Sequence, residues 1–189
     1  MISTNRIGIF PGRFFPPHLT QMHICEEAVY VYDLDYMYML LDGSFPMYNE
    51  RAELLSSAIR DFPDLKSGFV ENNPKVDRSE AINRIREATG PDAELLYFIG
   101  DDEIEALTKS NSYAIIEKEC EQIIVFKRNG NATNEFEVMG SEWESEKISG
   151  SELRNYVEKN IEEEKVKEHI DQNTLKLFKD VLREKGSTS

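Results

Sequence analysis

Short apolar runs alternate with stretches of helical spacing along this chain, and that alternation restricts its fold more than any other feature. Arg6–Phe10, Tyr36–Leu41, Gly68–Val70, Glu94–Ile99, Gln122–Phe126 and Phe136–Met139 read as strands. The first ends at Pro11-Gly12 and the second at Asp42-Gly43, both turn-forming pairs. Between them, Thr20–Tyr32 sets Met22, Ala28, Val29 and Tyr32 at helical spacing. Asn49–Phe62 carries Leu54, Leu55, Ala58 and Ile59 along one face, with Pro63 as its stop. Ser79–Thr89 has Ser79 as a cap and Gly90 as a terminator. Helices are also expected over Glu103–Lys109 and Tyr113–Lys118, and from Ser151 onward with a break near 169–173. The pattern predicts an α/β fold: an open parallel sheet with helices on both faces and a C-terminal helical tail. Such sheets bind ligands beyond the carboxyl ends of their strands, where the strand order reverses.

A chain of 189 residues is expected to form one domain, with a core over about 5–155 and a helical segment over about 156–186. Its 36 acidic residues against 22 basic ones give a net charge of −14, which disfavours binding to a nucleic-acid backbone. A small pocket with two or three cations remains compatible with that charge. The acidic stretches 117–121, 135–146 and 158–168 read as solvated surface. No run approaches the ~20 apolar residues needed to cross a bilayer, and no secretory signal is evident, so the expected location is cytoplasmic and no membrane partner is expected. Cys25 and Cys120 have neither disulfide-framework nor metal spacing, and no protein metal site is expected. Asn131-Ala-Thr133 matches a glycosylation sequon by chance in this context.

The segment from Gly8 to His23 is the most informative. A strand enters a turn stiffened by Gly12, Pro16 and Pro17, which delivers His18 to a helix start. The first N–H groups of a helix lack intrahelical partners and its dipole favours anions, so phosphate binding is natural there. His18 can donate to a phosphate oxygen, and Phe14 and Phe15 are expected to wall the pocket. Near the other end, Lys147-Ile-Ser-Gly-Ser-Glu-Leu-Arg154 repeats the logic: Ser149 or Ser151 caps a helix, and Arg154 presents its planar fork one turn inside it.

Gly12-Arg-Phe-Phe-Pro-Pro-His18 resembles the opening motif of the HxGH nucleotidyltransferases, and Ile148-Ser-Gly-Ser-Glu-Leu-Arg154 resembles their second signature. Tyr97-Phe-Ile-Gly-Asp-Asp102 and Ile123-Ile-Val-Phe-Lys-Arg-Asn-Gly130 are similar to segments of the nicotinate and nicotinamide mononucleotide adenylyltransferases within that group. The resemblance implies a Rossmann-like fold and transfer of AMP from ATP, with Mg²⁺, to a mononucleotide, releasing pyrophosphate. It implies catalytic roles for His18, Gln21 and Arg154. Nucleotide binding is implied for Phe10, Gly12, Arg13, Phe14, His18, Gly100, Asp102, Arg128, Ile148, Ser149, Ser151 and Arg154. Phe45 and Arg51 are matched to acceptor binding.

One departure stands inside the first motif: Thr20 and Gln21 occupy the positions of its Gly and second His. Gln21 can donate through its amide but cannot carry charge. His23 can replace it only if the helix starts late, because it lies ~200° around an ideal helix from position 21. Two other readings therefore stay open: a nucleotide sensor of the same fold, and transfer to another phosphorylated acceptor such as phosphopantetheine or glycerol phosphate. Assembly into homo-oligomers is also open. Tyr30, Tyr32 and the run Tyr36–Met39 have the spacing of core and strand positions. Trp143 either covers the adenine or packs the last strand, and His169 is expected on the surface of the tail.

Overall fold

A computed structural model of the chain describes residues 5–68, 77–127, 135–140 and 150–187. Six parallel strands form one sheet in the order β3-β2-β1-β4-β5-β6. They are β1 (Arg6–Gly12), β2 (Tyr36–Leu41), β3 (Leu65–Lys66), β4 (Glu94–Gly100), β5 (Gln122–Phe126) and β6 (Glu137–Met139). The helices are α1 (Leu19–Val31), α2 (Tyr48–Ala58), α3 (Arg78–Thr89), α4 (Ile104–Lys109), α5 (Tyr113–Glu119), α6 (Gly150–Lys159), α7 (Glu163–His169) and α8 (Gln172–Ser187). The chain runs outward from β1 through β2 to β3, then returns to the other side of β1 as β4. The reversal puts the switch point between β1 and β4, directly below the loop that follows β1.

The inner strands β1, β2 and β4 are apolar over nearly their whole length because both faces of the sheet are covered there. Alternate residues supply two separate cores. Phe10, Met37, Met39, Leu96 and Phe98 pack with Met22, Cys25 and Ala28 of α1 and Leu55 of α2. Ile7, Ile9, Tyr38, Leu40, Leu95 and Tyr97 face Ile82 and Ile85 of α3 and Ile116 of α5. A third cluster joins Leu54 of α2 to Leu153 and Val157 of α6, Val166 of α7, and Leu175 and Phe178 of α8.

Several expectations need correction. Among the described residues the third strand is Leu65–Lys66, where Leu65 pairs in register with Met37, and Gly68, the first residue of the expected strand, takes φ +79 outside it. Positions 69 and 70 lie outside the described residues. The cap of α3 is Asp77, whose Oδ1 accepts from the Glu80 N–H at 2.9 Å, while Ser79 is already inside the helix. Helix α2 ends at Ala58, short of the expected Phe62, and residues 59–61 form a turn ahead of Pro63. Tyr38 and Met37 are core, but Tyr30 is 89% exposed. His169 is buried, since the bend between α7 and α8 packs into the third cluster.

Candidate functional site

The loop after β1 is compact. Gly12 ends the strand, and a Cβ there would meet the Phe14 ring at 2.9 Å. Phe14 has φ 53, which turns the chain so that its own ring folds back over Gly12 into the core beside Phe10. Phe15 points the other way, into a cleft. The pocket-wall role expected of both phenylalanines therefore falls to Phe15 alone, and Phe10 and Phe14 are core residues beneath the site. A cis peptide joins Phe15 to Pro16. His18 follows as the N-cap of α1, and its backbone N–H donates to Gln21 Oε1 at 3.1 Å, an arm of a capping box.

Helix α6 starts against this loop, although 139 residues separate Phe15 from Arg154. Arg154 Nη1 donates to the Phe15 carbonyl at 2.7 Å, and Nη2 donates to Ser151 Oγ at 3.0 Å. A Cβ placed on Gly150 would lie 3.3 Å from Arg154 Nη1 and 3.9 Å from His18 Nε2. The two helix N-termini thus converge, with His18 and Arg154 on either side of Gly150. Burial, and next the charge of Arg13, lowers the pKa of Arg154. A neighbouring anion would relieve both costs.

Beside this junction lies a cleft of about 520 Å³. Its walls come from the β1–α1 loop, the residues leading into α2, Arg154 and the end of α8. The Arg13 guanidinium stacks 3.4 Å from the centre of the Phe45 ring. Arg51 is 1% exposed, neither surface nor free to reach deep into the cleft. Its Nε donates to the Pro46 carbonyl at 2.8 Å, Nη1 to the Arg13 carbonyl at 3.1 Å and Nη2 to the Phe45 carbonyl at 2.6 Å. One side chain therefore ties the β1–α1 loop to the β2–α2 loop, and burial lowers its pKa.

The remaining expected residues are more scattered. Gly100 ends β4 and Asp102 is exposed in the 3₁₀ turn that follows, on the carboxyl edge of the sheet. His23 sits with its ring edge against Phe62, 5.2 Å centre to centre, away from His18. Arg128, Ile148 and Ser149 lie outside the described residues, as do Trp143 and the 131–133 sequon. Two contacts escaped the sequence reading. Arg78 Nη2 pairs with Asp42 Oδ2 at 3.0 Å across the mouth of the sheet, and Phe178 of α8 meets Phe15 edge-on at 5.2 Å. The second had a legible signal, the apolar spacing Leu175, Phe178, Val181. Among the described residues no group of three His, Cys, Asp or Glu side chains converges, and no helix is long and apolar enough to cross a membrane.

Several known proteins are similar to this chain. The chain is 30% identical over 136 residues to the "probable nicotinate-nucleotide adenylyltransferase" of Shouchella clausii strain KSM-K16, covering 66% of this chain and 69% of that one. It is 29% identical over 147 residues to the protein of the same name from Geobacter sp. strain M21, covering 71% and 66%. The match thus spans about two thirds of these relatives. No protein-family model matches. Plasmodium falciparum nicotinic acid mononucleotide adenylyltransferase, solved in complex with NaAD, superposes with a TM-score of 0.75 at 13% identity, over 92% of this chain and 94% of that one. That superposition establishes the Rossmann-like fold.

Proposed function

The chain belongs to the nicotinate-nucleotide adenylyltransferase family, and from that footing we propose that it transfers AMP from MgATP to nicotinate mononucleotide. A phosphate oxygen of the mononucleotide attacks the α-phosphorus in line, forming a new P–O bond. The bond from that phosphorus to the bridging oxygen breaks, and pyrophosphate leaves with the electron pair. Chemistry of this kind asks the protein for position and charge neutralisation.

The observation that carries the reading is the convergence of His18, Gly150 and Arg154 at two helix starts. His18 donates to a phosphate oxygen, Arg154 presents its fork to the same group, and Ser151 orients Arg154. Gln21 acts by holding the backbone of His18. Gly100 and Asp102 sit on the nucleoside side and Phe45 on the acceptor side, and Arg51 supports the loop that presents Phe45. Mg²⁺ bound to ATP would come as part of that substrate and would help neutralise its phosphate charge.

The turned-in amide oxygen of Gln21 favours a second reading, a sensor that binds nucleotide without turnover. Pyrophosphate release from ATP, Mg²⁺ and nicotinate mononucleotide separates the two. The transferase reading expects turnover that falls by ~10²–10³ in Arg154→Ala, by analogy with removal of a transition-state donor. ATP binding with no pyrophosphate released, for this acceptor or a panel of phosphorylated ones, would establish the sensor instead.

A further inference from the structure

Asp42 is a junction between three segments of the fold. Its backbone N–H donates to the Gly12 carbonyl at 2.9 Å, which ties the end of β2 to the end of β1. Its Oδ1 accepts from the Ser44 N–H at 2.9 Å and from Ser44 Oγ at 2.6 Å, a turn that sets the path of the β2–α2 loop. Its Oδ2 accepts from Arg78 Nη2, on the first residue of α3, at 3.0 Å. Phe45 leaves that turn directly: its ring stacks on Arg13 and its carbonyl receives Arg51.

The helix does not explain Arg78. A cation at a helix start opposes the helix dipole, and Asp77 and Glu80 already serve this end of α3. Burial also opposes the Arg78 charge, yet Tyr97, Asp42 and Glu103 outweigh it and its pKa rises. The guanidinium is thus held by groups outside its own helix.

We propose that Arg78 is a positioning residue: by fixing the Asp42 carboxylate it holds the Ser44 turn, and so Phe45, on the acceptor side of the cleft. The assignment of that side rests on the adenylyl-transfer reading, and the fastening does not. Arg78 secures the start of the β2–α2 loop, whereas Arg51 secures its later residues together with Arg13. Loss of Arg78 therefore loosens Phe45 and leaves Arg13 anchored.

Amide hydrogen exchange on the full chain reads the turn without any turnover. In Arg78→Gln the Ser44 amide should exchange about 3–10-fold faster, as expected for a partly exposed charge contact, with β1 and β2 unchanged. Arg84→Gln, which removes the exposed pair with Glu80 on the same helix, should alter it less than about 2-fold. In rate assays Arg78→Gln should raise the KM for nicotinate mononucleotide about 3–10-fold and that for ATP less than about 2-fold. Asp42→Asn keeps an oxygen for the Ser44 turn but loses the charge that holds Arg78. In that background Arg78→Gln should add less than about 2-fold, because the two residues act as one unit. Unchanged Ser44 exchange, even with a lowered melting temperature, overturns the assignment, as does a KM rise confined to ATP or full multiplication of the two effects. If the wild-type chain releases no pyrophosphate from ATP and nicotinate mononucleotide, yet Ser44 exchange still depends on Arg78, the reaction is misread and the positioning role stands.

Discussion

Arg51 offers the sharpest test of how the cleft is built. Its guanidinium is buried, and three of its nitrogens donate to the Pro46, Arg13 and Phe45 carbonyls. Hydrogen bonds to a charged group contribute about 1.5–3 kcal/mol each. The three do not sum, because carbonyls at a cleft edge regain water when the side chain is removed. A net loss of about 3–5 kcal/mol in Arg51→Ala is expected. For a chain of this size each kcal/mol lowers the melting temperature by about 2–4 °C, giving a fall of roughly 6–20 °C. Arg51→Lys should fall about half as far, since an ammonium cannot span all three acceptors. Both variants should raise the KM of both substrates, because Arg13 and Phe45 lose a common anchor. Melting followed by far-UV circular dichroism, paired with initial rates, decides it. If Arg51→Ala melts within about 2 °C of wild type and raises only the acceptor's KM, Arg51 contacts the acceptor and the fastening account is refuted.

Three further outcomes are expected. Gln21→Ala removes the acceptor of the His18 N–H, so unfolding titrations should show a loss of about 0.5–2 kcal/mol, with kcat falling as His18 loosens; unchanged stability would remove the capping role. Gly150→Ala places a methyl 3.3 Å from Arg154 Nη1, so kcat/KM should fall about 3–10-fold with the melting temperature nearly unchanged; full activity would mean that Arg154 does not work from this rotamer. Alkaline stability should decline in a defined direction. Burial holds the Cys25 thiol well above its ordinary range and pushes Cys120 up to about 12, and burial followed by Glu137 raises Tyr32 to about 12. The folded chain therefore keeps protons that the unfolded chain releases. Stability from these groups is full below about pH 9 and is lost as pH rises toward 12. Urea midpoints that rise over that interval, or thiols that react with a disulfide reagent in the native state, would contradict it.

The sheet was legible because strands covered on both faces must be apolar throughout. Tyr36–Leu41 and Gln122–Phe126 run between the ends expected of them. Leu65–Lys66 was hidden because two residues have no periodicity to read, whereas Gly68-Phe-Val70 offers a more apolar run close by. Adjacent phenylalanines in the motif were indistinguishable in sequence. Only the left-handed φ at Phe14 decides which enters the core and which the cleft. Arg51 was unreadable for a different reason. An arginine near a helix start is ordinarily solvated, and nothing local announces three carbonyls presented by residues up to 38 positions away.

The substitution at position 21 takes on a different weight once the cleft is seen whole. A second histidine there would supply one cation from α1. In this chain, cations reach the cleft from the β1–α1 loop through Arg13, from α2 through Arg51, from α6 through Arg154 and from α8 through Lys185. Charge neutralisation by separate elements is additive to first order, whereas the position of His18 is set by local contacts at the start of α1, among them the one Gln21 makes to its backbone N–H. A neutral residue at 21 therefore removes the more replaceable contribution and keeps the less replaceable one. On that physical ground adenylyl transfer, rather than bare nucleotide sensing, is the reading that the arrangement of charges favours.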